Sequence, residues 1–274
     1  MKIDDYPPQE PTPAFAAEYA AEVKRRSDVP HEDIAYGDDI YQRVAVFAPE
    51  EPGGTVLAAI HGGGWTSGYK EWMAFQAPAF TAAGVLFVSI GYRLAPTHRF
   101  PAGYDDVRRA IAWIHGNAAG YGGDPERLFV TGHSAGGHYA ALMAVKRDWQ
   151  AALRLPPDVI RGWLPVSGVF DLTEGSGLST RPRFLGPEGS GSEVAASPIR
   201  QIDGVPPPAL LAHGEDDFPH LSTQAEAMEA ALRRSGADVE RIVLAGRTHF
   251  TAHLAAGEED GPWVKPALDW MARH

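Results

Sequence analysis

Residues 128–140, LFVTGHSAGGHYA, place a serine between two glycines where one element ends and another begins. An aliphatic run ends at Thr131, Ser134 follows in the pattern G-x-S-x-G, and small or apolar residues continue beyond it. This pattern is typical of a sharp strand-to-helix turn that raises a nucleophilic serine above a sheet. Gly132 and Gly136 would relieve the crowding at such a turn. The alternative is a glycine-rich turn whose serine only caps the helix.

A second glycine run, HGGGW at residues 61–65, also follows an aliphatic stretch. Acyl transfer creates a negatively charged oxygen, which enzymes stabilise with backbone N–H donors that are fixed in advance. Glycines let the backbone approach that oxygen closely. We therefore predict that Gly63, Gly64 and Ala135 form an oxyanion hole. The alternative is a flexible turn without a chemical role.

A serine nucleophile of this kind needs an acid and a base, which follow it along the chain in the order acid, then histidine. His249 stands in GRTHF, just after an aliphatic run, and Asp217 follows another such run, PALLAHG, with Asp216 beside it. We predict that Ser134, Asp217 and His249 are the catalytic residues. Asp216 and Asp171 are the alternative acids.

Side chains near these motifs favour an apolar, aromatic substrate. The predicted substrate-binding residues are Trp65, Tyr69, Tyr92, His138 and Phe218. Core packing is the alternative role for these side chains. His253 follows His249 by four residues, a spacing that can bind a metal on a helix, but no carboxylate motif accompanies the pair. We predict no metal and no cofactor.

The elements that position these residues follow from the apolar pattern. Strands are predicted at 41–49, 55–60, 84–93, 127–132, 160–168, 208–214 and 240–246. Helices are predicted at 14–26, 71–83, 104–114, 135–145, 223–236 and 262–273. The strands alternate with helices, and the runs at 55–60 and 84–93 lack a clean polar alternation, which predicts a mostly parallel, doubly wound sheet covered by helices on both faces.

Three segments carry further expectations. The helix at 14–26 is expected to lie outside the main fold. Thr223 and Glu226 are expected to form a capping box at the start of a helix. Residues 172–201, rich in glycine, serine and proline, are predicted to form a long loop over the site.

Composition restricts the classes of function. A length of 274 residues suits a single α/β domain over 1–274, with 1–35 as an N-terminal extension, and a net charge of −11 disfavours a nucleic-acid partner. The absence of cysteine rules out disulfides and thiolate nucleophiles. The sequence shows no signal-peptide pattern and no apolar run long enough to span a membrane. We expect a cytoplasmic protein with a small-molecule substrate and no membrane partner. A homodimer is an alternative to a monomer.

The motifs HGGGW, GHSAGG and GRTHF resemble those of the α/β-hydrolase superfamily, in the branch near hormone-sensitive lipase. Within that branch, the chain is similar to the kynurenine formamidase (arylformamidase) group over most of residues 36–254. The shared stretches are YGDD, HGGGWTSGYK, GHSAGGH, GVFDL, SPI, GEDDFP and THF. The resemblance implies an α/β-hydrolase fold and matches the catalytic acid to Asp217. Gly64 departs from the formamidases, which often carry a larger residue there, and agrees with lipase-like esterases.

The resemblance implies acyl transfer through a covalent acyl-enzyme, without a cofactor. We predict a serine hydrolase of short-acyl carboxylic esters, with an arylformamidase acting on N-formylkynurenine or a related aryl formamide as the alternative. The loop at 172–201 has few apolar members, mainly Leu172, Leu178, Phe184 and Leu185, and offers no long channel for a fatty acyl chain. Plant gibberellin receptors resemble the same branch but have lost the catalytic histidine, so the presence of His249 argues against a purely ligand-binding protein.

Overall fold

The computed structural model describes residues 1–176, 183–187 and 189–274, and these residues form one sheet of eight strands. The strands are β1 (Glu32–Ala35), β2 (Arg43–Phe47), β3 (Gly54–Ile60), β4 (Leu86–Ile90), β5 (Gly123–His133), β6 (Gly162–Val166), β7 (Ala209–Asp216) and β8 (Val239–Thr248). Their order across the sheet is β1-β2-β4-β3-β5-β6-β7-β8. The pairs β1–β2 and β2–β4 are antiparallel, and all other neighbours are parallel. The prediction of a mostly parallel sheet is confirmed.

Helices cover both faces of this sheet. They are α1 (Ala17–Arg26), α2 (Ala77–Thr81), α3 (Ala102–Asn117), α4 (Ala135–Val145), α5 (Ser192–Ala196), α6 (Pro219–Ser235), α7 (His249–Leu254) and α8 (Val264–Arg273). Val130 of β5 packs in the cluster that includes Ile111 of α3, whereas the next residue back, Phe129, packs in the cluster that includes Trp270 of α8. Successive side chains of a strand point to opposite faces, so the apolar run of β5 is buried on both sides.

Some elements differ from the expectations. Helix α6 begins at Pro219, and the Thr223 hydroxyl donates to the Pro219 carbonyl, so the predicted capping box at Thr223 is wrong. Proline suits the first position of a helix because its missing N–H has no acceptor there. The segment predicted as a helix at 71–83 is a 3-10 helix at Lys70–Gln76 followed by the short α2.

The N-terminal helix α1 packs against the main fold. Val23 of α1 is fully buried in a cluster with Trp72 and Phe75 of the 3-10 segment. The expectation that this helix lies outside the main fold is therefore wrong. One apolar stripe of α1, formed by Tyr19, Ala20 and Val23, accounts for the difference, because it gives the helix a face that packs against the cluster.

The segment 172–201 contains regular structure at its end, where α5 is followed by a 3-10 turn at Pro198–Arg200. Phe184 and Leu185 are buried in the main core, whereas Leu178 lies outside the described residues. Among the residues that the structure describes, no helix combines the length and the apolar character needed to cross a membrane.

The turn around Ser134 gives a test of the fold. A Cβ atom on Gly136 would lie 1.9 Å from the Ile60 carbonyl oxygen, whereas a Cβ on the exposed Gly116 of α3 would meet nothing within 4 Å. We expect Gly136→Ala to lower the free energy of unfolding by about 3 kcal/mol or more, because backbone must shift. The matched control Gly116→Ala should raise it by about 0.5–1 kcal/mol. Urea unfolding followed by circular dichroism measures both, and an unchanged midpoint for Gly136→Ala would contradict the packing.

Candidate active site

Ser134 occupies the sharp turn between β5 and α4. Its backbone has φ 54° and ψ −116°, a left-handed conformation that costs a non-glycine residue roughly 1–3 kcal/mol. A Cβ atom on Gly132 would lie 2.4 Å from the carbonyl carbon of Gly136. The backbone of Gly136 therefore leaves no room for a side chain at position 132, and the Ile60 carbonyl leaves none at position 136.

His249 and Asp217 form a buried hydrogen-bonded pair at the same edge of the sheet. His249 is the first residue of α7, directly after β8, and Asp217 directly follows β7. The His249 Nδ1 atom lies 2.9 Å from Oδ1 of Asp217, whose side chain is fully buried. With Nδ1 bound to the carboxylate, Nε2 is the ring nitrogen of His249 that can interact with a further group.

Two further donors hold the Asp217 carboxylate. The Ser167 hydroxyl donates to Oδ2 at 2.5 Å, and the N–H of Phe218 donates to Oδ1 at 2.7 Å. Burial acts to raise the pKa of Asp217, but the hydrogen bonds from His249, Ser167 and Phe218 outweigh it and bring that pKa below its usual value. The carboxylate is therefore charged at neutral pH. Ser167 was not predicted as a site residue, although it directly follows the aliphatic strand β6.

The alternative acids lie elsewhere. Asp216 is exposed at the end of β7. Asp171 accepts hydrogen bonds from Thr173 and from Arg200. Within the described part of the chain, neither carboxylate pairs with His249, and Asp217 does.

The HGGGW loop lies against the nucleophile turn. A Cβ on Gly62 would approach the Ser134 Cβ to 3.4 Å. Gly63 and Gly64 have φ of 108° and 60°, a region that favours glycine. Ala135 is the first residue of α4, where an N–H has no partner within the helix. In the described ranges, the N–H groups of Gly63, Gly64 and Ala135 donate to no other protein atom, so all three can serve a ligand.

A cavity of about 450 Å³ opens over these residues, and Ser134 and His249 both line it. Its walls are largely aromatic. The main aromatic side chains are Phe15, Tyr19, Trp65, Phe184, Phe218 and Phe250. The size is that of a site for a small organic ligand, and the lining favours an apolar one.

Two of the predicted substrate-binding residues line this cavity. Trp65 stacks on Phe184 with ring centroids 4.3 Å apart. Phe218 lies beside the catalytic pair, with its centroid 4.8 Å from that of His249. Trp65 and Phe218 can therefore contact a bound molecule directly.

The other three predicted residues do not line the cavity. Tyr92 is fully buried, and its hydroxyl donates to the His61 carbonyl at 2.9 Å. His138 is also fully buried and lies behind Trp65, whose Nε1 donates to His138 Nδ1 at 3.1 Å. Tyr69 packs against Trp72 at 5.9 Å. Their roles are core packing and support of the cavity wall, so the prediction of direct binding is wrong for these three.

The N-terminal segment supplies a wall that the sequence analysis missed. Phe15 and Tyr19 both line the cavity, and Tyr19 stacks on Phe250 with centroids 4.7 Å apart. The four-residue spacing of these two aromatic residues was the sequence feature that could have predicted this wall. Arg183 stands at the cavity as well, with its guanidinium 3.0 Å from the Glu10 carboxylate.

The side chains with the spacing of metal ligands already have partners within the protein. His253 hydrogen-bonds through both ring nitrogens to protein side chains. Among the described residues, one group has the spacing of metal ligands, namely His31, Asp33 and Glu71. The buried Lys70 ammonium already pairs with both carboxylates of that group. The positive charge that a cation would supply is therefore provided by the chain itself.

Comparisons with known proteins agree with this architecture. A family model described as BD-FAE matches residues 44–232. The esterase LipQ of Mycobacterium tuberculosis is 34% identical over an alignment of 254 positions, which covers 85% of this chain and 59% of that protein. The esterase LipC of the same organism is 31% identical over an alignment of 282 positions, which covers 94% of this chain and 69% of that protein. The chain spans only 51–59% of the length of four curated relatives.

Among solved structures, an esterase from Pyrobaculum calidifontis superposes with a TM-score of 0.76 at 23% identity, covering 93% of this chain and 91% of that chain. This likeness concerns the fold, which is the α/β-hydrolase fold expected from the motifs. The family match extends over more than half of the sequence, from the second strand to helix α6. The chain belongs to the BD-FAE family of α/β-hydrolases.

Proposed function

We propose that the protein is a serine hydrolase that cleaves carboxylic esters through an acyl-enzyme. One observation carries this proposal: a buried Asp217–His249 pair with a 2.9 Å hydrogen bond shares a cavity with a serine held on a strained turn. The relatives LipQ and LipC are named esterases, which supports ester hydrolysis as the reaction.

The proposed mechanism assigns one task to each group. The Ser134 Oγ attacks the ester carbonyl carbon while His249 Nε2 takes the hydroxyl proton. Asp217 accepts from Nδ1–H, fixes the tautomer and stabilises the imidazolium. The tetrahedral oxyanion accepts hydrogen bonds from the backbone N–H groups of Gly63, Gly64 and Ala135.

The remaining steps complete the cycle. The carbon–oxygen bond to the leaving group breaks, and His249 returns the proton to the departing alcohol, which leaves an acyl-serine. Water then attacks the acyl carbon while His249 takes its proton, the bond between the acyl carbon and Oγ breaks, and His249 returns the proton to Oγ as the carboxylic acid departs. No step requires a cofactor.

The cavity favours a small acyl group and an aromatic leaving group. A Cβ on Gly64 would meet nothing within 4 Å, so the space beside the proposed oxyanion site is open to a small acyl group. The walls formed by Phe218, Trp65 and the N-terminal aromatic residues suit a flat ring. The same aromatic lining and the motifs shared with formamidases support an aryl formamide, such as N-formylkynurenine, as the second candidate substrate.

Four single variants test the proposed roles with p-nitrophenyl acetate. Ser134→Ala should lower kcat by about 10⁴-fold or more, and Asp217→Asn by about 10³–10⁴-fold because the imidazole loses its correct tautomer. The matched controls Asp216→Asn and Asp171→Asn should stay within about 3-fold of the parent. Circular dichroism checks that each variant is folded. Near-normal turnover by Ser134→Ala would refute the mechanism, and a loss confined to Asp216→Asn would reassign the acid.

Acyl chain length tests the substrate class. We expect kcat/KM to be highest for p-nitrophenyl acetate or butyrate and to fall beyond about C6–C8, because a cavity of about 450 Å³ holds a short acyl group beside an aryl leaving group but has no room for a long chain. A lipase would show the opposite trend, since each buried methylene contributes about 0.8 kcal/mol. The series acetate, butyrate, octanoate and palmitate, measured beside N-formylkynurenine, distinguishes these cases. A maximum at palmitate would contradict the expectation.

A further inference from the structure

A chain of hydrogen bonds runs from the core to the backbone of the catalytic histidine. We call it the histidine network and define it as Gln76, His253, Tyr19 and His133. Gln76 Nε2 lies 2.8 Å from His253 Nε2, and the Tyr19 hydroxyl lies 2.7 Å from His253 Nδ1. The same hydroxyl lies 3.5 Å from His133 Nδ1, and His133 Nε2 lies 3.0 Å from the His249 carbonyl oxygen.

The groups at the two ends of the network determine which atom donates and which accepts in each of its hydrogen bonds. The Gln76 amide donates to His253 Nε2, so the His253 proton sits on Nδ1 and donates to the Tyr19 oxygen. At the other end, the His249 carbonyl can only accept, so the His133 proton sits on Nε2. His133 Nδ1 is then an acceptor, and the Tyr19 hydroxyl donates to it. One arrangement of protons therefore satisfies every contact.

The two imidazoles of the network are rigidly packed. His133 and His253 stack with centroids 4.4 Å apart and an interplanar angle of 9°. Both are buried, with 2% and 0% of their surface exposed. Burial, reinforced by the neighbouring histidines, lowers the pKa of His253 to about 3 and that of His133 well below its usual value. Both rings stay neutral at neutral pH, so the donor and acceptor pattern is constant.

The position of His133 gives the network its significance. His133 directly precedes Ser134, and its Nε2–H reaches the backbone of His249 across 116 residues of sequence. Its ring also lies 4.6 Å from the His249 ring, centroid to centroid. A shift of the His133 ring would therefore change the distance between the nucleophile and the base.

We propose that Tyr19 and His253 are positioning residues that act through His133 to hold His249 in register with Ser134. This inference rests on the proposed serine-hydrolase function. It makes the N-terminal helix part of the catalytic apparatus, because Tyr19 is the contribution of α1 to the network. The Tyr19 ring lines the cavity and packs on Phe250, whereas its hydroxyl serves the network, so the two roles can be separated by removing one oxygen.

The test variant is Tyr19→Phe, which keeps the ring and deletes the hydroxyl. We expect kcat for p-nitrophenyl acetate and butyrate to fall by about 10-fold, by the same factor for both esters, because small displacements of a catalytic base are costly. KM should stay within about 2-fold, since the cavity wall is intact. The second-order rate of Ser134 phosphonylation by an organophosphonate ester should fall by the same factor as kcat, because it reports the nucleophilic step alone.

The matched control is Tyr36→Phe. The Tyr36 hydroxyl also makes a short hydrogen bond to the chain, donating to the Gly91 carbonyl at 2.6 Å, but it lies outside the cavity lining. This variant should keep kcat and the phosphonylation rate within about 2-fold, even where its unfolding midpoint is lowered. Active-site titration corrects every rate for the folded fraction.

A second variant, His253→Asn, tests whether the network acts as a unit. Combined with Tyr19→Phe, it should lower kcat no further than the more impaired single variant, because both changes break the same chain. Parent-like kcat and phosphonylation rates for Tyr19→Phe overturn the inference, as does a rise in KM with kcat unchanged. In either case an inactive Ser134→Ala leaves the proposed function standing, whereas an active Ser134→Ala removes the function itself.

Discussion

The contact between two backbones beneath Ser134 is the constraint on which the site depends. Strand β5 and helix α4 meet so closely that a side chain at Gly132 would overlap the backbone of Gly136, and one at Gly136 would overlap the carbonyl of Ile60. This closeness makes the turn sharp and keeps Ser134 in its left-handed conformation. It also places the HGGGW loop, which continues from Ile60, beside the serine.

The parallel sheet supplies the remaining parts at the same edge. The loops or turns after β3, β5, β6, β7 and β8 contribute the glycine loop, the serine, Ser167, Asp217 and His249. In open α/β sheets, ligands bind at the carboxyl ends of strands near the point where the strand order reverses. Here that point lies at β3, whose neighbours are β4 on one side and β5 on the other. Sheet topology therefore accounts for the convergence of groups that are distant in sequence.

The sequence predicted the parts of the candidate site that lie directly after a strand. Ser134, Asp217 and His249 each follow an aliphatic run, and in parallel strands that position implies a shared edge. Nearness to a motif was a poorer guide to side-chain direction, because Tyr92 and His138 lie beside motif residues yet point into the core. Strand β1 was missed because its sequence, EDIA, is short, charged and half exposed. The wall formed by Phe15 and Tyr19 depends on contacts across most of the chain, which local patterns do not encode.

Because those contacts join residues far apart in the sequence, they have a consequence for folding. The cavity needs side chains from Phe15 to Phe250, so its assembly requires nearly the whole chain to be in place. Parallel strands also form through contacts between residues far apart in sequence, which makes them slow to pair. A partly folded intermediate with the central strands in place would hold Ser134 without its aromatic enclosure. Such a species would show native-like secondary structure before it could bind a substrate, and recovery of the cavity would mark the completion of folding.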